Sequence, residues 1–401
     1  MKVGIIGGGA AGFFAAITCA TKNPNATVII FEKSNKLLSK VKISGGGRCN
    51  VTNATFNNSA LIKNYPRGGK FLKKCFNQFN TEDTVSWFEK RGVKLKTEDD
   101  NRIFPCSNSS QTIIDCLLNE ARKLGIIINK GINITKIKNK NIGFSLQELD
   151  NSYEVDKVII AAGGSPKLSG LDWLSELGHN IEPPVPSLFT FNMPNEHVTK
   201  LMGVAVENAI VKVQGTKLQS EGGLLITHWG MSGPAILKLS AWGARILNNK
   251  NYTFDVSINW SSKINEELVR EQLNVFKSEK KKIINSKPFM LPNRLWEYLL
   301  NKINLSNDKR WIDLGKKEFN RLVNILYNDT YYVQGKTTFK EEFVTCGGIN
   351  LSDIDTNTME SKICADMFFC GEVMDIDGIT GGFNFQAAWT TGFIAGNNVC
   401  S

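Results

Sequence analysis

Histidine is scarce in this sequence, and the usual signatures of metal and disulfide sites are missing. Only 3 of the 401 residues are histidine, and no cysteine and histidine set has zinc spacing. The 9 cysteines include no C-x-x-C pair. An odd number of thiols without a recognisable signal peptide is typical of a reducing compartment, so we expect a cytoplasmic protein that holds no metal.

One stretch lacks charge for long enough to suggest a membrane segment. Val3 to Thr21 contains no charged residue. Three consecutive glycines at positions 7–9 would break a membrane helix, and only Lys2 supplies a positive flank. A strand, a turn and a helix explain the stretch better, and we expect no membrane partner.

The composition, with 42% hydrophobic and 21% charged residues, is ordinary for a globular protein. The formal net charge of +10 raises nucleic acid or an anionic compound as a partner. The longest basic run, Lys280 to Lys282, lies in a helix-like stretch with few aromatic residues. We interpret this run as a solvated helix face, so nucleic acid is less favoured than a small-molecule substrate.

A dinucleotide-binding pattern occupies the N-terminal stretch. Residues 2–6 form an apolar run typical of a buried parallel strand, and GGGAAG follows at once as a match to G-x-G-x-x-G. Gly7 permits the tight turn, Gly9 lets the backbone approach a pyrophosphate, and Gly12 lets helix and strand pack closely. The pyrophosphate would lie at the N-terminus of the helix. Glu32, at the end of a second apolar strand, would accept hydrogen bonds from ribose hydroxyls.

The rest of the chain favours FAD over NAD, and the acid at position 32 disfavours NADP. Asp156 to Gly164 is an apolar strand that ends in small residues. Phe368 to Gly392 contains a strand, an acidic turn, a glycine-rich loop and a helix start. A second helix N-terminus so far along the chain suits a ligand as long as FAD. We expect FAD to be bound noncovalently, because no histidine that could link it precedes His179.

Several motifs together resemble one family. GGGAAG, SGGGRCNVTN, THWGMSGPA, TCGGIN, TMESK and GEVMDIDGITGGFNFQAAW occur in order over nearly the whole chain, as in the YhiN/BaiN-type family of FAD-dependent flavoproteins. Leu38-Ser39-Lys40 replaces the Gly-Arg-Lys that this family often has, so only Lys40 is carried over. The residues predicted to bind FAD are Gly7, Gly9, Ala10, Ala11, Gly12, Glu32, Lys33, Lys40, Ser44, Gly45, Gly46, Gly47, Arg48, Cys49, Asn50, Ile134, Gly163, Gly164, Gly371, Glu372, Asp375, Gly381, Gly382, Phe383, Asn384, Phe385 and Gln386.

The stretch SGGGRCN has two side chains with more than one interpretation. Consecutive N–H groups from Ser44 to Arg48 favour an anion-binding concavity. Arg48 either neutralises a phosphate or the flavin ring edge, or pairs with an acid such as Glu372. Cys49 is interpreted as a small buried thiol, since the next cysteine is Cys75 and a dithiol relay would need a nearer one.

The resemblance implies an α/β fold with a Rossmann-like FAD-binding domain built from both chain ends. Residues 1–187 and 345–401 would form it, and residues 188–344 would form an inserted domain. The insert alternates apolar and polar residues over 188–260 and 326–344, as strands do. Residues 261–325 have helical spacing and would form its helical part.

The expected activity is that of an FAD-dependent oxidoreductase acting on a small organic substrate. NAD(P)H would reduce the flavin by transient docking, or the substrate would be the donor and O₂ the acceptor. An RNA-linked or redox-sensing flavoprotein is the alternative. His228 lies within THWGMSGPA and is the candidate acid or base, because imidazole titrates near neutrality. Alternatively, His228 is hydrogen-bonded to the backbone and stabilises the turn in which it lies.

Overall fold

The computed structural model describes residues 1–149, 151–338 and 344–401, in which the chain divides into two units. The first unit comprises residues 1–187 and 344–401, and the second comprises residues 188–338. Residues 339–343, within the predicted β-rich stretch 326–344, lie outside the described residues.

The helices and strands are as follows in chain order. The first unit begins with β1 (Lys2–Ile6), α1 (Ala10–Lys22), β2 (Thr27–Glu32), α2 (Ser39–Gly47), β3 (Thr52–Asn53), α3 (Asn58–Leu61), α4 (Gly69–Cys75), α5 (Thr81–Glu89), β4 (Leu95–Thr97), β5 (Arg102–Pro105), α6 (Ser110–Lys123), β6 (Ile127–Lys130), β7 (Lys136–Asn139), β8 (Phe144–Glu148), β9 (Asn151–Val155), β10 (Lys157–Ile160), α7 (Asp172–Ser175) and β11 (Ile181–Ser187). The second unit contains β12 (Thr190–Asn192), β13 (Ala205–Val213), β14 (Gln219–Ile226), β15 (Gly230–Ser232), α8 (Pro234–Trp242), α9 (Ala244–Asn249), β16 (Thr253–Asn259), α10 (Glu266–Asn274), α11 (Asn293–Lys302), α12 (Lys316–Tyr327), β17 (Asp329–Gln334) and β18 (Lys336–Thr337). The first unit then resumes with β19 (Val344–Ile349), β20 (Met367–Phe369) and α13 (Phe383–Asn398).

The first unit is built on a five-stranded parallel sheet in the order β20-β10-β1-β2-β6. Its inner strands are nearly continuous apolar runs, such as KVGII and KVII, because a parallel sheet is covered on both faces. Helices α1 and α13 pack closely where α13 has small residues: a Cβ atom at Gly396 would lie 2.3 Å from the Ala15 carbonyl oxygen. The expected α/β fold with a Rossmann-like sheet is confirmed.

Three small antiparallel sheets complete the first unit. Their strand orders are β3-β5-β4, β7-β8-β9 and β11-β19. The pair β11-β19 joins the end of the N-terminal part to the start of the C-terminal part, with Ser187 opposite Val344. Both ends of the chain therefore contribute to one unit.

The second unit contains a seven-stranded antiparallel sheet in the order β17-β16-β13-β14-β15-β12-β18. Its core includes residues of helices α10 to α12, and the side chains of Trp260, Trp296 and Trp311 are buried in this core. The basic run Lys280–Lys282 lies outside these helices, so its interpretation as a helix face is wrong. It belongs to an irregular segment that pairs with residues 309–312, in which the Ile283 N–H donates to the Lys309 carbonyl at 2.9 Å.

Candidate cofactor site

The turn between β1 and α1 shows why each glycine of its motif is there. A Cβ atom at Gly7 would lie 2.2 Å from the Ala161 carbonyl oxygen, and one at Gly12 would lie 2.0 Å from the Gly7 carbonyl oxygen. Both positions therefore permit close packing of turn, strand and helix. Gly9 differs, because a Cβ atom there would meet nothing within 4 Å. Its bare backbone faces open space next to the unpaired N–H groups at the start of α1.

Glu32 ends β2 beside this turn. Its carboxylate accepts hydrogen bonds from the Gly8 N–H at 2.7 Å and the Ser34 N–H at 2.8 Å. The acid is therefore held against the glycine turn, where the sequence pattern places a ribose. The segment after β6 also reaches this end of β2, since the Ile132 N–H donates to the Glu32 carbonyl oxygen at 3.0 Å. Ile134 follows two residues later and is buried.

The stretch SGGGRCN folds as a run of unusual backbone conformations at the end of α2. Ser44 is extended, and Gly45, Gly46 and Gly47 have positive φ values of 58°, 67° and 82°. A Cβ atom at Gly46 or Gly47 would meet nothing within 4 Å. Glycine is needed here because L side chains rarely adopt such angles. The stretch thus presents bare backbone to open space, as Gly9 does.

Arg48 and Cys49 have defined partners. The Arg48 Nη1 donates to the Glu98 carboxylate at 2.6 Å, and its guanidinium lies 4.0 Å from the centre of the Phe104 ring. Arg48 therefore pairs with an acid, but the acid is Glu98 and not Glu372. Cys49 is completely buried, and burial raises the pKa of its thiol to about 12, so the thiol remains protonated at neutral pH.

The end of β10 meets the turn that follows β20. Gly163 has a φ of 74° and open space at its Cβ position. A Cβ atom at Gly164 would lie 2.7 Å from Glu372 Oε1, and Glu372 forms an ion pair with Lys40 Nζ at 2.6 Å. Lys33, by contrast, is exposed near the end of β2. Glu372 and Lys40 thus bring the C-terminal and N-terminal segments together.

The loop before α13 is tied to the segment that follows SGGGRCN. The Asn50 amide, with its oxygen facing the loop, accepts from the Gly382 N–H and donates to the Thr52 carbonyl, both at 2.9 Å. Asn53 Nδ2 donates to the Gly381 carbonyl oxygen at 3.0 Å. Gly381 and Gly382 have positive φ values of 129° and 94°. Two glycine-rich segments more than 300 residues apart are therefore neighbours.

Several side chains predicted to contact the cofactor are used within the protein. Gln386 is fully buried, accepts from the Thr52 hydroxyl at 2.6 Å and donates to the Thr390 hydroxyl at 3.0 Å. The Asn384 amide is bonded to both the N–H and the carbonyl of Gly378. Phe385 stacks on Trp389. Contact of residues 384–386 with a cofactor would therefore use mainly their backbone.

The remaining predicted positions are close to these contacts. A Cβ atom at Gly371 would lie 2.7 Å from Ala11 Cβ, which places the C-terminal turn against the first turn of α1. Ala10 precedes Ala11 as the first residue of that helix. The Asp375 N–H donates to the Ile349 carbonyl at 3.0 Å. Gly371 therefore joins the C-terminal segment to α1, whereas the Asp375 hydrogen bond lies within the C-terminal segment.

Sequence reasoning missed a buried ion pair in the same unit. Arg67 makes a two-pronged contact with Asp377, which also accepts from the Ser187 hydroxyl at 2.7 Å. Burial raises the pKa of Asp377 to about 6, against the opposing effect of Arg67. Tyr65, two residues before Arg67, donates to the Phe383 carbonyl at 2.8 Å. The signal for this cluster is weak, since only the glycines after Arg67 mark an unusual turn.

His228 lies in the second unit, in the turn between β14 and β15. The side chain is exposed, and its ring meets the Trp229 ring edge to face at 4.4 Å. Thr227 closes this turn. Its N–H donates to the Gly230 carbonyl oxygen, and its hydroxyl accepts from the Gly230 N–H. His179, in the first unit, is buried, packs against the Phe369 ring and is hydrogen-bonded to the Ser361 hydroxyl.

Among the described residues, no group of three or more His, Cys, Asp or Glu side chains is arranged to hold a metal ion. In the same part of the chain, no helix has both the length and the apolar character needed to cross a bilayer.

The residues of this site fit FAD. Gly9, Gly46, Gly47 and Gly163 are open positions, and we call these four residues the open glycines. They belong to segments that are joined by the Glu32–Gly8 and Glu372–Lys40 contacts. A long anionic ligand with a ribose needs bare backbone, free N–H groups and a nearby acid that could accept from ribose hydroxyls. One unit contains bare backbone, the start of a helix and the carboxylate of Glu32.

Comparison with known proteins gives the family. The HI0933-like protein Rossmann domain matches residues 1–398. A 3-dehydro-bile acid delta(4,6)-reductase of Clostridium scindens is 26% identical over 98% of this chain and 98% of its own length. Ribosomal RNA dihydrouridine synthase of Escherichia coli is 30% identical over 96% of this chain and 95% of its own length. The protein of that name from Haemophilus influenzae is 28% identical over 97% of this chain.

Solved structures share the fold at low sequence identity. A flavocytochrome c3 fumarate reductase has a TM-score of 0.52 and 17% identity, covering 99% of this chain and 78% of its own. The 3-ketosteroid delta1-dehydrogenase of Sterolibacterium denitrificans has a TM-score of 0.52 and 11% identity, covering 99% and 98%. Because the family match spans nearly every residue, the chain belongs to the HI0933-like Rossmann-domain family of FAD-dependent oxidoreductases.

Proposed function

We propose that this protein saturates a carbon–carbon double bond conjugated to a carbonyl group. The observation that carries the proposal is the chemistry shared by the names of its relatives, a delta(4,6)-reductase of 3-dehydro-bile acids and a dihydrouridine synthase. A steroid with a 3-oxo group and Δ4,6 double bonds has a conjugated C=C bond, and so does the uracil ring. One type of reduction therefore accounts for both names.

The residues of the first unit would hold the cofactor for this reaction. When bound and reduced by NAD(P)H, the flavin would supply the hydride. Glu32 would accept hydrogen bonds from ribose hydroxyls, and the backbone at Gly9 would lie against the pyrophosphate. The open glycines at 46, 47 and 163 would let the chain approach the remaining parts of the ligand without a side chain in the way.

A proton must follow the hydride, because saturation of a C=C bond adds one hydrogen to each carbon. His228 is the proposed donor, since it is exposed and imidazole exchanges protons near neutral pH. The proton would go to the carbon next to the carbonyl group, and NAD(P)H is the proposed source of the electrons.

Two substrates are candidates. A small α,β-unsaturated carbonyl compound is the first, in line with the expectation from the sequence. A uridine in RNA is the second, and it is suggested by the names of two relatives, dihydrouridine synthases at 30% and 28% identity, together with the net charge of +10.

The test uses the anaerobic protein after its flavin has been reduced with NADH or NADPH. The reduced protein is mixed with an enone, with the saturated ketone of the same skeleton, and with a uridine-containing RNA. We expect the absorbance of oxidised flavin to return with the enone or the RNA and not with the saturated ketone. Failure of both conjugated substrates, or equal reoxidation by enone and ketone, would contradict the proposal.

A further inference from the structure

The positive charge of the chain is concentrated in one segment. Residues 33–81 contain ten Lys and Arg residues and no Asp or Glu. The rest of the chain is balanced, with 38 basic and 38 acidic residues, so this segment accounts for the whole net charge of +10. A stretch of 49 residues without an acid calls for a physical explanation, because like charges repel within a folded unit.

Part of this charge has partners inside the first unit. Lys40 pairs with Glu372, Arg48 with Glu98, and Arg67 with Asp377. Each acid lies outside the segment, and the pairs fix the segment around the candidate cofactor site. These residues do not account for the lysines further along.

Four lysines, Lys63, Lys70, Lys73 and Lys74, are exposed on a layer of short helices. The layer consists of α3, the 3₁₀ turn Ile62–Asn64, and α4. Its parts are packed directly on one another: a Cβ atom at Gly69 would lie 2.8 Å from the Ile62 carbonyl oxygen, and Asn58 Nδ2 donates to the Phe76 carbonyl at 3.1 Å.

The spacing on α4 puts three of these lysines together. Lys70, Lys73 and Lys74 are separated by three and four residues, which places them on one face of the helix. The other face, with Phe71, Leu72 and Cys75, is buried. Within residues 1–149, 151–338 and 344–401, none of the four lysines has an ion-pair partner. Their mutual repulsion is therefore relieved only by solvent ions or by an anionic partner.

An exposed aromatic ring lies immediately before this layer in the chain. Phe56 immediately precedes the N-cap residue of α3, Asn57, and 46% of its surface is accessible. Exposed lysines and an exposed ring in neighbouring parts of the chain suit nucleic acid, since the cations contact phosphates and the ring stacks on a base.

The layer is also joined to the loop before α13. The Ile379 N–H donates to the Asn64 carbonyl at 2.9 Å, and the Tyr65 hydroxyl donates to the Phe383 carbonyl at 2.8 Å. A polymer bound to the layer would thus be next to the loop before α13, which borders the candidate cofactor site.

We propose that Phe56, Lys63, Lys70, Lys73 and Lys74 form an RNA-binding surface, here called the basic surface. The lysines hold the phosphate backbone, and Phe56 stacks on an unpaired base. The inference rests on the proposed function in one respect: the choice of RNA as the polymer, because RNA would present the uridine to be reduced. Binding itself is measured without turnover.

The test compares two triple variants of the full-length protein loaded with flavin. The first is Lys70→Glu with Lys73→Glu and Lys74→Glu. The control is Lys212→Glu with Lys217→Glu and Lys250→Glu, three exposed lysines of the second unit. Both sets lower the net charge by the same amount, so any difference between them reports the location of the charge.

The readout is binding of a fluorescein-labelled single-stranded RNA of mixed sequence over a range of salt concentrations. We expect the first variant to lose affinity by about 10²-fold near 0.1 M salt and its salt slope to flatten by about 2, since each phosphate contact on a single strand contributes roughly −0.7. We expect the control to bind like the parent. Phe56→Ala should weaken binding with little change in the salt slope.

Equal losses in both triple variants would overturn the proposal, because net charge alone would then explain binding. So would no loss in either variant, or binding to phosphatidylglycerol vesicles without binding to RNA. Flavin content and far-UV circular dichroism establish that each variant is folded. Reoxidation of the reduced flavin by a small enone is measured on the same proteins, so a failure of the proposed function appears there and a failure of the basic surface appears in RNA binding.

Discussion

Replacing Gly9 by alanine separates the stability of the protein from its affinity for FAD. Gly9 is the N-cap of α1 and has φ −93° and ψ −169°, an extended conformation that alanine adopts without strain. Its Cβ atom would meet no protein atom within 4 Å. The substitution is therefore compatible with the fold, yet it adds a methyl group at the point where the pyrophosphate is expected.

The two effects should have opposite signs. Gly→Ala at a compatible position raises the free energy of unfolding by about 0.4–1 kcal/mol, because the unfolded chain loses conformational freedom. Displacing the pyrophosphate from one N–H group removes a charge-assisted hydrogen bond of about 1.5–3 kcal/mol. The Kd for FAD should then rise by about 10- to 150-fold.

Gly315→Ala provides the matched control. Gly315 is the N-cap of α12 in the second unit, with φ −71° and ψ 159°, and a Cβ atom there would make only an ordinary contact at 3.5 Å. We expect a similarly small effect on stability and none on FAD binding. Gly12→Ala is the opposite case, because its Cβ atom would lie 2.0 Å from the Gly7 carbonyl oxygen, and it should prevent correct folding.

The assays are urea unfolding of the flavin-free proteins, followed by circular dichroism, and titration with FAD, followed by flavin fluorescence. If Gly9→Ala bound FAD as tightly as the parent, the assignment of this turn to the pyrophosphate would be refuted. If it lowered the stability of the flavin-free protein by more than about 1 kcal/mol, a steric effect on FAD would no longer be the explanation.

Four further predictions concern single side chains. Glu32→Ala should raise the Kd for FAD about 10- to 150-fold through loss of a charge-assisted bond to the ribose, and equal flavin content after dialysis would refute this. Gly382→Ala should lower the unfolding free energy, because its φ is 94° and the Cβ atom would lie 2.6 Å from the Thr52 backbone, so an unchanged urea midpoint would count against it. His228→Asn should leave flavin content unchanged and slow the anaerobic reoxidation by substrate about 10²-fold, and an unchanged rate would remove His228 from the mechanism. Burial lowers the pKa of His179 below the ordinary value of 6.5, so protonation of this side chain favours the unfolded chain. The free energy of unfolding should therefore fall as the pH drops below about 6.5, and His179→Gln should flatten that fall. An identical dependence of stability on pH in the variant and the parent would contradict the role given to His179.

Local patterns in the sequence predicted the first turn of the site well, because its requirements are local. The close packing expected at Gly7 and Gly12 agrees with the short distances that a Cβ atom would have there, and Gly9 has open space at its Cβ position. Glu32 likewise lies beside the turn, since both belong to one β-α-β unit.

Pairings between distant segments were not predictable in the same way. Arg48 was expected at a cofactor or at an acid such as Glu372, but it pairs with Glu98, which a separate antiparallel sheet brings near. Gln386 was predicted to contact the cofactor from the start of a helix. Its amide is instead buried and hydrogen-bonded to the hydroxyls of Thr52 and Thr390. Such partners depend on tertiary packing, which no local pattern specifies.

The run Lys280–Lys282 illustrates a second reason why a prediction from the sequence was wrong. Helical spacing around it predicted a helix, but hydrogen bonds to residues 309–312 replace the helical ones. The charge of residues 33–81, in contrast, is visible in the sequence, and only the structure separates the lysines with partners from those on the basic surface.

The central claim, that glycine-rich segments from both ends of the chain form a noncovalent FAD site, is tested most directly by the flavin that the purified protein releases. The protein is denatured with acid, and the supernatant and the precipitated polypeptide are analysed by chromatography and mass spectrometry. We predict about one FAD per chain in the supernatant and an unmodified polypeptide. Absence of flavin after reconstitution with FAD, release of FMN alone, or a flavin that stays with the polypeptide would contradict the claim.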